Sequence, residues 1–145
     1  MTTPRASERP SFLMSQAGSS NDLFVHVSWK TRSGAPTLAC DQLRQTAFQA
    51  IRTRTRLHFC HVLAMKGSRD QVDIVFRVPA SMPVSQVARM SMKESHRAIT
   101  RFWQIFRTEP VPAQNFWASD FTARSLNAAE ASEAEDYLRR QLASD

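Results

Sequence analysis

The chain has 145 residues, a formal net charge of +6 and a sequence pI of about 10.3. Its apolar content of 42% is ordinary for one globular domain, and it lacks the run of about 18 apolar residues that a transmembrane helix needs. With no apolar h-region at the N-terminus and no Cys-x-x-Cys around Cys40 and Cys60, neither a signal peptide nor a disulfide framework or zinc site is expected, and the thiols are expected to be reduced in the cytoplasm.

Residues 1–20 are rich in Ser, Thr, Pro and Arg and are predicted to form a disordered tail before a single domain over 21–145. Leu23–Trp29 alternates as a strand, with Leu23, Val25, Val27 and Trp29 on one face and Phe24, His26 and Ser28 on the other. A turn-rich loop, Thr31–Pro36, leads into a helix over about 39–54, where Leu43, Ala47, Phe48 and Ile51 form one core-facing stripe. Leu57–Lys66 is apolar on both faces and is predicted to be a central strand. A tight connection at 67–69 then starts a hairpin whose second strand alternates Gln71, Asp73, Val75 and Arg77 with Val72, Ile74, Phe76 and Val78.

Pro83 sits at the first turn of a long amphipathic helix that runs to about Phe106. Short strands are predicted near 116–117 and 121–125. A final helix starts at either Asn127 or Ser132; Ser132 with Glu135 has the form of a capping box. The order β-α-β-β-α-β-α predicts an α+β, ferredoxin-like split β-α-β fold, with an antiparallel sheet and the helices on one face. That fold hosts many functions and decides none of them.

Charge is unevenly spread. Lys30, Arg32, Arg44, Arg52, Arg54, Arg56, Lys66 and Arg69 face only Asp41 in their stretch, and Arg89, Lys93, Arg97, Arg101 and Arg107 face only Glu94. The last helix is acidic. Clustered cations point to an anionic partner, nucleic acid first, against the alternative of an ordinary solvated surface. With three glycines, the chain has no Gly-rich phosphate loop; it also lacks G-x-S-x-G and the two-base aromatic motif of RNA-recognition sheets.

Two features carry chemistry. Gln71 and Asp73 share one strand face, either as plain solvent-facing residues or as remains of a metal site. Tyr137, the single tyrosine, shares a helix face with Gln141, with Arg140 three residues away. Tyr137 can equally be a packing residue at the helix edge.

Taken in order, the blocks VHVSWKTRSGAP, DQVDIVFRVP, SMKESHR, FWASDFTARSL and EDYLRRQ resemble the single-domain tyrosine transposases of the insertion-sequence-200 type, including the REP-associated ones, from about Leu23 to Gln141. The resemblance implies a dimer that binds hairpins in single-stranded DNA. It also implies a tyrosine, here Tyr137, that attacks the scissile phosphate in line and forms a 5′-phosphotyrosine. In that family a His-x-His pair and a helix-borne Gln hold a divalent metal that polarises the phosphate. The matching positions here are Gln71, Asp73 and Gln141, so both histidines are replaced. An oxygen set of two amides and one carboxylate suits Mg²⁺ better than metals that favour nitrogen, and neutral amides bind weakly. His26, His58 and His61 are candidate substitutes.

The expectation is therefore Mg²⁺ or Mn²⁺ if cleavage survives and no metal if it does not. DNA contacts are expected from Lys30, Arg32, Arg52, Arg54, Lys93, Arg97 and Arg124, with Trp29, Trp117 or Phe121 as base-stacking candidates beside their alternative role in the core. Three functions compete: an active tyrosine transposase, a DNA-binding descendant that no longer cuts, and an interaction module without nucleic acid.

Overall fold

The computed structural model describes residues 22–144, with side chains through 140; the predicted tail over 1–20 lies outside the described residues. The elements are β1 (Asp22–Thr31), α1 (Asp41–Arg56), β2 (His61–Gly67), β3 (Gln71–Pro79), α2 (Val84–Phe106), β4 (Trp117–Leu126) and α3 (Ala128–Ser144), with two short 3-10 turns between β1 and α1. The four strands form one sheet in the order β2-β3-β1-β4, and every pairing is antiparallel. This is the α+β arrangement that the element order predicts. Among the described residues no helix is long and apolar enough to cross a membrane.

Alternation along the two central strands sorts the core into two layers. Val25, Val27 and Trp29 of β1 and Val72, Ile74, Phe76 and Val78 of β3 are buried with Leu43, Ala47, Phe48 and Ile51 of α1 and Val87, Ala88, Ile99 and Phe102 of α2. The intervening Val75 turns the other way and packs with Ala64, Leu126, Ala131 and Leu138. The expectation of helices on one face therefore holds for α1 and α2 and fails for α3, which covers the opposite face. The reason lies in α3's thin apolar stripe: Ala131, Ala134 and Leu138 match the small patch around Val75 and Ala64. Burying Leu138 contributes roughly 2 kcal/mol.

The same two-sided packing corrects the placement of β2. Its apolar residues on both faces suggest a central strand, yet it lies at the sheet edge. α1 covers one of its faces and α3 the other, and that burial accounts for the pattern. The strand also starts later than expected, at His61, because residues 57–60 close the end of α1. The two short strands predicted near 116–125 are one strand, β4, whose pairing with β1 shifts register between Trp29 and Thr31.

Trp29 and Trp117 meet edge to face with centroids 5.7 Å apart. The Trp117 indole N–H donates to Ser95 Oγ at 3.0 Å and to the Met92 carbonyl at 3.1 Å. Ser91 and Ser95 are buried on α2, so small hydroxyl residues both make room for the indole and satisfy it. These two tryptophans belong to the core and are not available to stack bases. Phe121 is half-buried, with the Arg89 guanidinium 5.4 Å from its ring centroid.

Of the two candidate starts for α3, the structure selects Asn127. Its side-chain oxygen accepts from the Glu130 N–H at 2.8 Å, and Glu130 Oε1 accepts from the Asn127 N–H at 2.9 Å. This reciprocal pair is a capping box, formed at Asn127 and not at Ser132.

Gly67 ends β2 where α1 crosses it. A Cβ there would lie 2.7 Å from Phe48 Cζ and 2.9 Å from Arg44 Cδ. Arg44 can swing aside, but the Phe48 ring is held in the core. Gly67→Ala is expected to destabilise the domain by about 1–3 kcal/mol through overpacking, read as a lower urea midpoint with an unchanged slope.

Candidate functional site

The open face of the sheet beside α3 is built from alternate residues. The pairings Lys66↔Asp73, Asp73↔Ser28 and Ser28↔Thr122 lay one row across all four strands. One row away, His26 lies across from Arg124. α3 stands over this floor and contributes Glu130, Glu133 and Tyr137 from the flank beside its apolar stripe. Together His26, Lys66, Asp73, Arg124, Glu130, Glu133, Tyr137 and their neighbours line a cleft of about 570 Å³. Tyr137 is 55% exposed, so its hydroxyl-bearing ring is presented and not packed away. The reading of Tyr137 as a packing residue gives way to one of display.

Gln71 and Asp73 are not plain solvent-facing residues. The His26 imidazole donates from Nε2 to Asp73 Oδ1 at 3.1 Å. The Gln71 amide nitrogen donates to Asp73 Oδ2 at 3.1 Å and to Ser28 Oγ at 3.1 Å. The reverse orientation of the amide would set a carbonyl oxygen against a carboxylate oxygen, two acceptors with no proton between them. Partial burial works to raise the Asp73 pKa. Hydrogen bonds from His26, Ser28 and Gln71, together with the charge of His26, overcome it and hold the carboxyl below its ordinary value.

The remaining candidates fall in different places. Arg124 lines the cleft and lies 3.6 Å from Glu130 Oε2. Lys30 is exposed on β1, paired with Gln71 and on the same sheet face as His26 and Ser28. Arg32 Nε donates to the Asn115 carbonyl at 3.0 Å, which ties it to the loop before β4. Arg52, Arg54, Lys93 and Arg97 lie on α1 and α2, on the other side of the sheet. Gln141 lies within α3, but its side chain lies outside the described residues. Of the substitute histidines only His26 joins the cleft. His58 sits at the end of α1, and His61 sits at the end of β2 remote from Lys66, its pKa lowered by burial and by Arg77 and Arg56.

In the sequence Lys66 stands out only as part of the bulk charge. Its place in the cleft follows from the hairpin: once Gly67 pairs with Val72, Lys66 stands opposite Asp73. The tight connection after Gly67 is the available signal. The acidic rim of Glu130 and Glu133 has a signal as well, since both share a helix flank with Tyr137 at spacings of seven and four.

The sequence model described as "Transposase IS200 like" matches residues 19–141. This chain belongs to the IS200-like transposase family. Its fold is similar to that of a Deinococcus radiodurans R1 protein assigned as a transposase, with a TM-score of 0.65 at 14% identity over 86% of this chain and 94% of the other. It is also similar to a REP-associated tyrosine transposase bound to a REP hairpin, with a TM-score of 0.54 at 17% identity over 81% of this chain and 64% of the other. No curated protein sequence matches. At these identities the structural likeness speaks to the fold.

IS200-like transposases generally use a divalent metal. Among the described residues the donor set does not fit one. Asp73 offers the one carboxylate at the expected position, and its two oxygens accept from His26 and Gln71. Gln71 presents a nitrogen there and not an oxygen, and His26 Nε2 is committed to Asp73. Among the described residues no three His, Cys, Asp or Glu side chains are grouped to hold an ion. Replacing Asp73 by Ala strands its donors at a partly buried position. A destabilisation of about 1–3 kcal/mol is expected, measured by chemical denaturation, with Asp73→Asn recovering only part of it.

Proposed function

We propose that this IS200-like transposase-family protein binds single-stranded or hairpin DNA and has lost metal-dependent strand cleavage. One observation carries the reading: in the cleft that displays Tyr137, both oxygens of the Asp73 carboxylate accept hydrogen bonds from its own neighbours instead of being offered to a metal ion. The cationic side chains there retain a use. Lys66 and Arg124 line the cleft, and Lys30 extends from the same sheet face. These are groups that contact phosphates without reading sequence. Tyr137 keeps the position of a nucleophile, and Arg140 follows it on α3. Without an ion to polarise a phosphodiester, the attack lacks its electrophilic partner.

Hairpin DNA is the natural probe because a structural neighbour is bound to a REP hairpin. The reading includes a homodimer, as the resemblance implies. It also includes a cytoplasmic place of action, with which the free thiols of Cys40 and Cys60 agree.

The test is fluorescence anisotropy with hairpin-bearing single-stranded DNA, followed by denaturing gels. Binding is expected to be the same in EDTA as in Mg²⁺ or Mn²⁺ and to weaken steeply with salt. Removing Lys66 and Arg124 together is expected to reduce the salt slope by about 0.7 for each phosphate that is no longer neutralised. No covalent adduct is expected from the wild-type chain. A metal-dependent adduct that disappears in Tyr137→Phe would restore the enzyme reading. Absence of any salt-sensitive DNA binding would remove both DNA readings and leave the interaction module.

A further inference from the structure

The end of α1 carries an unexplained strain. The Phe59 N–H donates to the Arg56 carbonyl and the Cys60 N–H to the Thr55 carbonyl, each at 3.0 Å. This paired closure is a Schellman motif, and it requires a left-handed residue at the position of Phe59. Glycine is the usual occupant because it has no Cβ to clash. Phe59 takes that conformation with φ of +62°, a genuine outlier for a bulky residue. Its ring does not offset the strain by packing, since Phe59 is 76% exposed while the adjacent Cys60 is buried. Leu57, two residues earlier, is 65% exposed. Strain retained without a folding benefit is a reason to look for function.

His58, the residue before Phe59, lines a groove of about 480 Å³ between the end of α1 and the outer face of α2. Arg54, His58, Arg89, Lys93 and Arg97 line it, with Glu94 as its lone carboxylate. Glu94 is already engaged, 3.9 Å from Arg54 and 3.6 Å from Arg97. The groove lies on the α1–α2 side of the sheet, away from the Tyr137 cleft. An exposed aromatic beside a cationic groove is the pairing by which proteins hold single strands: cations follow the backbone while a ring stacks an unpaired base.

We infer that the α1–α2 face is a second binding site for single-stranded DNA, with the groove taking phosphates and Phe59 stacking one base. The inference rests on the DNA-binding reading above and adds a location that the Tyr137 cleft does not provide. A second copy of this chain is the poorer occupant, because a two-fold contact through the patch would set one cationic groove against another.

The experiment exploits opposite signs. Phe59→Gly relieves the left-handed strain, so its Tm is expected to rise by a few degrees. The same change is expected to weaken binding of an oligo(dT) single strand about tenfold, within the range for loss of one stacked base. Phe59→Trp is expected to bind at least as tightly as wild type. Lys93→Ala with Arg97→Ala is expected to reduce the salt slope, which Phe59→Gly leaves unchanged. If wild type binds oligo(dT) and Phe59→Gly binds equally well, this site is wrong while the DNA-binding reading stands. If wild type binds no DNA, both fall. Sedimentation separates the other occupant: a self-association abolished in Phe59→Gly, with DNA affinity unchanged, would assign the patch to a second copy and overturn the inference.

Discussion

The antiparallel pairing of β1 with β3 is the constraint on which the rest of the molecule depends. These two strands are central in the sheet, and their alternation decides what each face becomes. One set of side chains, from Val25 to Val78, builds the core under α1 and α2. The other set includes His26, Ser28, Gln71 and Asp73. A slip of one residue would drive Asp73 into the core and turn Ile74 to solvent. Because the apolar set is buried, that slip is strongly disfavoured. The hydrophobic layer on one side therefore fixes the polar geometry on the other, and the hydrogen bonds around Asp73 are a consequence of where valines and isoleucines must go.

That dependence also explains the difference between this cleft and the metal site the resemblance implies. A strand face that carries two imidazoles can present two lone pairs to an ion. The same face carrying an amide and a carboxylate places a donor next to an acceptor, and they satisfy each other. His26 from the neighbouring strand completes the arrangement. The result is a partly buried polar network with its members paired, which rigidifies the floor of the cleft. It is a stable solution, and it leaves the carboxylate poorly placed to coordinate.

Much of the fold is legible because the central strands and the two long helices follow their periodicities closely. Val72, Ile74, Phe76 and Val78 recur at every second position, and the apolar stripe of α2 runs from Val84 to Phe106. The failures have physical causes. β2 reads as central because burial, and not hydrogen bonding, shapes its composition, and an edge strand packed by helices on both faces has the same signature. The end of α1 is hidden because a phenylalanine occupies a position where a glycine would have marked the turn. The site is half legible. Resemblance points to Gln71, Asp73 and Tyr137, but no spacing in the chain shows that His26 and Lys66 flank Asp73. That information is in the strand register. The basic residues are legible as charge and illegible as surfaces: they divide between two opposite sides of the sheet.

Glu130 has two oxygens and uses them differently. Oε1 accepts the Asn127 N–H in the cap of α3, while Oε2 lies 3.6 Å from the Arg124 guanidinium on β4. The start of the helix that carries Tyr137 is thus tethered to the cleft wall through a single side chain. An anion that draws Arg124 away competes for only one of those oxygens. The cap persists while the tether loosens, so the cleft can widen at Arg124 without unwinding the helix that stands over it.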